Sequence, residues 1–273
     1  PPSQLIHKRQ CMSATDLSKM GTAKVMLSVS DCGHKVIEKC PVGEVEYSFY
    51  QYAATELNQA GIVTPMLFSA DAPLRKLILE YIPEKVEQND VAGDDAIAML
   101  ARLHGFPANS EWIYHSHSWS ELALEKSLML LALPDKSTQQ FRLFQECSDV
   151  LFAYPSLISG DSNAGNWGRR ENGDLVLFDW ERFGKGSPAI DLAPLIKGIG
   201  SKLMFTDIAE RYCQFSFHHD RNALAREIAI AKAWIVTEVI VLLNERQNAD
   251  FPLYLDWYRE HLPGWLDDVI TML

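Results

Sequence analysis

Three side chains set out the chemistry this sequence can perform: Asp161, Asn166 five positions later, and Asp179 beyond an apolar run. They lie in the stretch Ser159-Gly160-Asp161-Ser162-Asn163-Ala164-Gly165-Asn166, which is followed by Phe178-Asp179-Trp180-Glu181 and then Asp191-Leu192-Ala193. Phosphoryl transfer needs a carboxylate to take the proton of an attacking hydroxyl, and oxygen ligands to hold Mg²⁺ against the phosphates of a nucleotide. Asp161 suits the first task. Asn166 and Asp179, the latter ending Leu175-Val176-Leu177-Phe178, suit the second. Together they read as a kinase active site that uses ATP and Mg²⁺. Taken alone, the first block is equally a turn, because Gly, Asn and Asp supply the positive-φ and side-chain-capped conformations that turns need. The ordered set of three blocks carries the reading.

The blocks resemble those of the aminoglycoside phosphotransferase and choline kinase group of small-molecule kinases. The signature of that group is His-Gly-Asp, an Asn five residues after the Asp, Asp-Trp-Glu, and Asp-Leu-Ala. Gly160, Asp161 and Asn166 match its first block, Asp179-Trp180-Glu181 its second and Asp191-Leu192-Ala193 its third. Two departures are visible: Ser159 stands where the family usually has His, and Asn163 where a second His is common. The first of these His residues braces the loop in the family, so Ser159 bears on loop rigidity and rate more than on reaction type. The resemblance implies an α+β, bilobal protein-kinase-like fold with a small β-rich N-lobe containing one helix and a larger, mainly helical C-lobe. It also implies that Asp191 braces the catalytic loop and that His104 is structural. Glu181 is left with two roles, lining the cleft toward metal or acceptor, or forming a surface salt bridge.

The elements that must position these groups follow from periodicity. Residues 23–29 and 35–39 are short apolar and β-branched runs separated by Asp31-Cys32-Gly33, which suits an antiparallel hairpin. Over residues 44–60 the period becomes helical, with Val45, Phe49, Tyr52, Ala53 and Leu57 recurring and Gly61 as a C-cap candidate. A strand over 76–82 is stopped by Pro83. Amphipathic helices are expected near 92–104, 119–131, 137–152, 189–197, 203–216 and 222–245, interrupted by short strands around Ile158 and 175–179. The expected division is a nucleotide-binding lobe over residues 1–83 and a helical lobe with catalytic loop and acceptor site over 84–273.

The resemblance extends to the nucleotide side. Lys39, ending Val36-Ile37-Glu38-Lys39, matches the family's strand lysine, which contacts the α and β phosphates and is held by a helix glutamate. Glu46 is the best partner, since Glu46-x-x-x-Tyr50-x-x-x-Ala54 resembles Glu-x-x-x-Phe-x-x-x-Ala; Glu44 and Glu56 compete. The phosphate-covering turn should fall at 18–23, where Ser18, Gly21 and Thr22 offer backbone amides and hydroxyls. Glu80-Tyr81-Ile82 resembles the hinge, whose backbone at Glu80 and Ile82 pairs with the purine edge. Backbone recognition leaves GTP open beside ATP.

Composition narrows the setting. A chain of 273 residues, 47% hydrophobic, is long enough for one large domain or two lobes with their own cores. A net charge of -11 argues against a nucleic-acid or anionic-membrane partner and is compatible with a cationic small-molecule hydroxyl acceptor. Five scattered cysteines without a Cys-x-x-Cys pair suggest neither a disulfide framework nor a zinc site. No apolar signal region or membrane span is read, so a cytoplasmic enzyme is expected. His115, His117, His218 and His219 lack zinc-site spacing and read as solvated, and the stripe Trp234, Val236, Val239, Ile240 and Leu242 reads as helix core. A protein kinase of the same superfamily and a nucleotide-binding pseudokinase module are the alternatives, and the oligomeric state is left open.

Overall fold

The computed structural model describes residues 15–16 and 23–273. A five-stranded antiparallel sheet is formed by β1 (Thr15–Asp16), β2 (Lys24–Val29), β3 (Lys35–Cys40), β4 (Leu67–Asp71) and β5 (Lys76–Glu80), in the order β1-β2-β3-β5-β4. In the β2–β3 hairpin Gly33 has φ +86°, a conformation glycine adopts without steric cost. Lys39 lies opposite Val25 on one side and Leu77 on the other, so the sheet fixes its backbone from both edges. The edge strand β4 was not expected, because its mostly exposed Leu-Phe-Ser-Ala-Asp sequence has no apolar alternation.

Between β3 and β4 runs one continuous helical segment, made of α1 (Glu44–Ser48), a π-helical turn (Phe49–Ala53) and α2 (Ala54–Gln59). Its inward face is Glu46, Phe49, Tyr50, Ala53, Ala54 and Leu57, while Tyr52 is 64% exposed. Of the expected stripe, Phe49, Ala53 and Leu57 are buried and Val45 packs against the core, and only Tyr52 is corrected to the exposed face. An apolar pattern skips Glu46, the charged residue that the fold turns inward.

After the connector 81–83 the chain forms β6 (Glu84–Lys85), then α3 (Asp94–Gly105), α4 (Glu121–Leu131), α5 (Asp135–Glu146), α6 (Asp149–Phe152) and β7 (Leu157–Ile158). The hairpin of β8 (Trp167–Arg169) and β9 (Leu175–Leu177) pairs with β6, and β10 (Gly184–Lys185) pairs with β7. The remainder is α7 (Ala189–Leu192), α8 (Lys202–Cys213), α9 (Arg221–Glu245) and α10 (Phe251–Val269). The single helix expected over 137–152 is two, broken where the Ser148 hydroxyl donates to the Gln145 carbonyl. α10 was not expected, because Pro252 and Pro263 interrupt its sequence; the first sits in the opening turn, where no amide is missed, and the second lies inside the helix. α9 is apolar around most of its circumference and packs against α4, α5, α7, α8 and α10, which makes it the axis of the helical part.

Among the described residues, Cys32, Cys40, Cys147 and Cys213 are free, and no helix is long and apolar enough to cross a membrane.

Candidate active site

A single buried carboxylate organises the loop that carries Asp161. Asp191, fully buried on α7, accepts from the Ser159 amide at 2.7 Å, the Ser159 hydroxyl at 2.8 Å and the Gly160 amide at 2.9 Å. His104 of α3 approaches it at 3.1 Å, and the other ring nitrogen of His104 lies 2.8 Å from the Tyr212 hydroxyl. The Ser162 hydroxyl donates to the Asp191 carbonyl, and Trp167 Nε1 donates to the Ser162 carbonyl at 2.8 Å. Gly160 has φ +78°, and a Cβ there would stand 2.3 Å from the Arg182 carbonyl oxygen, so only glycine fits. Asp191→Ala would strand three buried donors, at roughly 1–3 kcal/mol each. We expect it to destabilise the protein by at least about 3 kcal/mol, read as a shift of the urea midpoint; a midpoint within error of wild type would contradict the bracing role.

From this frame Asp161 emerges half-buried, its Oδ1 accepting from Asn163 Nδ2 at 2.6 Å. Burial raises the Asp161 pKa above the usual aspartate value, with the Asn163 hydrogen bond and the Arg182 charge opposing the rise. Asn163, at a position where the family often has His, also caps the short 3₁₀ turn Ala164–Asn166 by accepting from the Gly165 amide.

Asn166 and Asp179 are brought together by the β8–β9 hairpin, since the Phe178 amide donates to the Asn166 carbonyl at 2.9 Å. Asn166 Nδ2 donates to the Asp161 carbonyl at 2.9 Å, which leaves the side-chain oxygen without a donor among the described residues. Asp179 has φ +64°, a left-handed conformation that Asp tolerates better than most side chains. Trp180 next to it is fully buried and stacks on Phe49 at 4.2 Å and 9°, with Phe183 edge-on to both rings. This aromatic stack ties the helix carrying Glu46 to the turn carrying Asp179. Such pairs contribute about 0.5–1.5 kcal/mol beyond area burial.

Lys39 joins the two halves. Its Nζ lies 2.7 and 2.8 Å from the two carboxylate oxygens of Glu46 and 3.1 Å from Asp179 Oδ1. Glu44 and Glu56 are exposed on the same segment and do not reach it. Burial opposes the ammonium charge, but the carboxylates of Glu46 and Asp179 together hold the Lys39 pKa above its usual range. Burial lifts the pKa of Glu46, with Lys39 opposing and Asp179 adding to the rise. The donor set offered to a cation is the Asp179 carboxylate oxygen that has no partner among the described residues and the side-chain oxygen of Asn166. Two hard oxygens fit Mg²⁺, which is usually held by one or two protein groups together with phosphates and water.

At the expected hinge, β5 ends at Glu80. The Glu80 carboxylate is engaged by Arg170 at 2.7 and 2.8 Å, which straps the strand to the β8–β9 hairpin, and its amide donates to the Met66 carbonyl. Ile82 packs against Gly168, whose Cβ would stand 2.7 Å from Ile82 Cγ2. Ser18, Gly21 and Thr22 lie outside the described residues. Glu181 is partly buried, has no hydrogen bond or ion pair among the described residues, and its pKa is raised by burial and then by Asp179.

Two expectations are corrected. His117 is buried and His115 half-buried, because the His115 amide donates to the Phe183 carbonyl at 2.7 Å and pins that segment to the Asp179 turn. His219 is not solvated either, being stacked on Tyr154 and edge-on to Tyr212. Sequence reasoning also assigned nothing to Arg182, which pairs with Glu238 at 2.9 Å and covers the Trp234 ring at 5.7 Å. Its place three residues after Asp179 was the available signal. Trp234 is buried, in keeping with the core reading.

The model of a family described as "Phosphotransferase enzyme family" matches residues 23–224. A search of curated proteins gives no match. Among solved structures, a choline/ethanolamine kinase family protein from Mesorhizobium loti is similar, with 17% identity, 97% of this chain and 93% of that chain covered, and a TM-score of 0.65. LicA in complex with AMP has 17% identity, coverage of 97% and 94%, and a TM-score of 0.61. Amicoumacin kinase hAmiN, in complex with AMP-PNP, Ca²⁺ and Ami, has 15% identity, coverage of 92% and 88%, and a TM-score of 0.61. At these identities the likeness shows a shared fold, the α+β protein-kinase-like one expected from the sequence.

Proposed function

We propose, from the fact that this chain belongs to the phosphotransferase enzyme family, that it moves the γ-phosphate of ATP to a hydroxyl of a small molecule. The observation that carries this reading is the Lys39 ammonium shared between Glu46 and Asp179, within a site whose other loop presents Asp161. Asp161 orients the acceptor hydroxyl and takes its proton as the new O–P bond forms and the bond to the ADP oxygen breaks. Lys39 holds the phosphates, and Glu46 holds Lys39. Asp179 and Asn166 would bind Mg²⁺, which offsets the phosphate charge. Glu80 and Ile82 offer backbone groups to the purine. Residues 1–83 then serve the nucleotide and 84–273 the acceptor. The solved neighbours described with AMP and with AMP-PNP and Ca²⁺ support a nucleotide donor.

The acceptor is a small hydroxylated molecule, and the chain's net charge of -11 is compatible with a cationic one. ADP release, measured with Mg²⁺ over a panel of amino alcohols, sugars, aminoglycosides and macrolides, tests the assignment. Release stimulated by at least one acceptor and lost in Asp161→Asn supports it. Background release across the whole panel, equal in the variant, would sink it.

A second test concerns Lys39 and Glu46. Lys39→Ala should impair ATP use severely, Glu46→Ala more mildly, and the double variant should be no worse than Lys39→Ala, because groups acting as one unit are non-additive. Additive losses in kcat/KM would show that Glu46 acts by another route.

A further inference from the structure

The catalytic loop and the Asp179 turn are hydrogen-bonded at both ends and in van der Waals contact between, where Gly160 lies against Arg182. At one end Ile158 pairs with Gly184, and at the other the Phe178 amide donates to the Asn166 carbonyl. Among the described residues no hydrogen bond runs directly from 159–165 to 179–183. The Ser159 hydroxyl donates to Asp191 of α7 and the Asp161 amide leans on that hydroxyl at 3.4 Å, so Ser159 is occupied without reaching the turn.

One side chain from elsewhere packs against both where Gly160 meets the Arg182 carbonyl. His117 has its Nε2 at 2.9 Å from the Arg182 carbonyl oxygen, and its Cε1 would stand 2.8 Å from a Cβ on Gly160. Its own segment is fixed from two sides, by the His115 bridge to Gly184 and by Trp234 Nε1 donating to the Ser118 carbonyl at 3.1 Å. A carbonyl oxygen only accepts, so Nε2 carries the proton. Burial, then the charge of Arg182 and neighbouring His115, push the His117 pKa down to about 3, and the ring is neutral at working pH. Nδ1 is therefore unprotonated, and it is buried without a hydrogen-bond partner among the described residues. A polar ring is held there with half of its hydrogen-bonding capacity unused, which costs stability.

We propose that His117 is a positioning residue for phosphoryl transfer: wedged against Gly160 and hydrogen-bonded to the Arg182 carbonyl, its neutral imidazole locks the loop of Asp161 to the turn of Asp179 where the two touch. The inference rests on the phosphotransferase reading for its kinetic consequence, while its geometric content is independent of that reading. In-line transfer is sensitive to such spacing, and a misplacement of about 1 Å can cost as much as 10²-fold.

The test compares His117→Ala with His117→Gln, whose amide N–H can still reach the Arg182 carbonyl. His117→Ala should lower kcat by about tenfold with KM for nucleotide and acceptor within about twofold, and His117→Gln should recover most of the rate. Unchanged kcat in the alanine variant, or a loss confined to KM, would overturn the proposal. Hydrogen exchange of peptides covering 159–166 and 178–185 provides a readout without turnover. It should quicken in the alanine variant and stay near wild type in the glutamine variant. Exchange unchanged in both removes the wedge even if wild-type protein shows no transfer, an outcome that by itself would count only against the phosphotransferase reading. Should His117→Ala fail to fold, His117→Asn, too short to reach the carbonyl, replaces it with the same expected results.

Discussion

Asp161→Asn is expected to lower kcat by about 10²-fold or more, the lower range for a positioned general base, while nucleotide affinity stays at the wild-type level. The amide keeps the shape of the carboxylate and can still accept from Asn163 Nδ2, so the loop should hold its conformation. What is lost is the group proposed above to orient the acceptor hydroxyl and take its proton. Burial raises the Asp161 pKa, and a general base acts as its carboxylate. The acid limb of the wild-type kcat/KM profile, which reports the free enzyme, should therefore lie above the ordinary aspartate value of about 3.9 and be absent from the residual activity of the variant. The sign for stability runs the other way. A carboxyl whose folded pKa is raised binds its proton more tightly in the folded state, so its ionisation at neutral pH works against folding. Asp161→Asn should thus melt at or above the wild-type temperature, in the manner of functional residues held at a cost in stability. Near-wild-type turnover in the variant would remove Asp161 from the mechanism.

What the sequence makes legible here follows the range of the interactions. Asp161, Asn166 and Asp179 are readable because phosphoryl transfer restricts both residue type and spacing, and because two of them sit on one loop. Lys39 and Glu46 become readable only through a family resemblance, since a lysine ending a strand and a glutamate in a helix are otherwise ordinary surface residues. Periodicity places Val45, Phe49, Ala53 and Leu57 of that helix correctly but misses the buried Glu46 and assigns Tyr52 inward, although it is 64% exposed.

The supports of the site were harder to see. His104 reaches Asp191 across 87 residues, and His117 reaches Arg182 across 65. Nothing in the local pattern of His115-Ser116-His117 distinguishes a solvated pair from a buried wedge. The stacking of Phe49 on Trp180 is likewise a product of the folded sheet and helix. Pro263 hid α10, because a proline inside a helix reads as a stop when only neighbours in sequence are considered.

The largest effect is expected at Asp179, where removal of the charge should abolish divalent-dependent turnover. Asp179 faces two demands at once. It supplies a full negative charge beside Lys39, and its backbone sits at φ +64°. Alanine would change both, since it disfavours the left-handed region. Asn tolerates that region and keeps the shape, so Asp179→Asn isolates the charge and Asp179→Ala adds the backbone term. If the charge is what matters, both variants should lose transfer, and only the alanine variant should also lose stability. Asn166 contributes a carbonyl dipole instead of a charge, and its amide nitrogen already holds the Asp161 carbonyl at 2.9 Å. Asn166→Ala should therefore keep residual activity that rises with added Mg²⁺ or Mn²⁺, because a weakened site is refilled by mass action. Part of its loss should not be recovered by metal, owing to the freed Asp161 carbonyl. Titrating divalent cation against ADP release in the three variants separates these contributions. An Asp179→Asn enzyme with wild-type metal dependence would show that the hairpin end carries no cation, and the role assigned to Asn166 would fall with it.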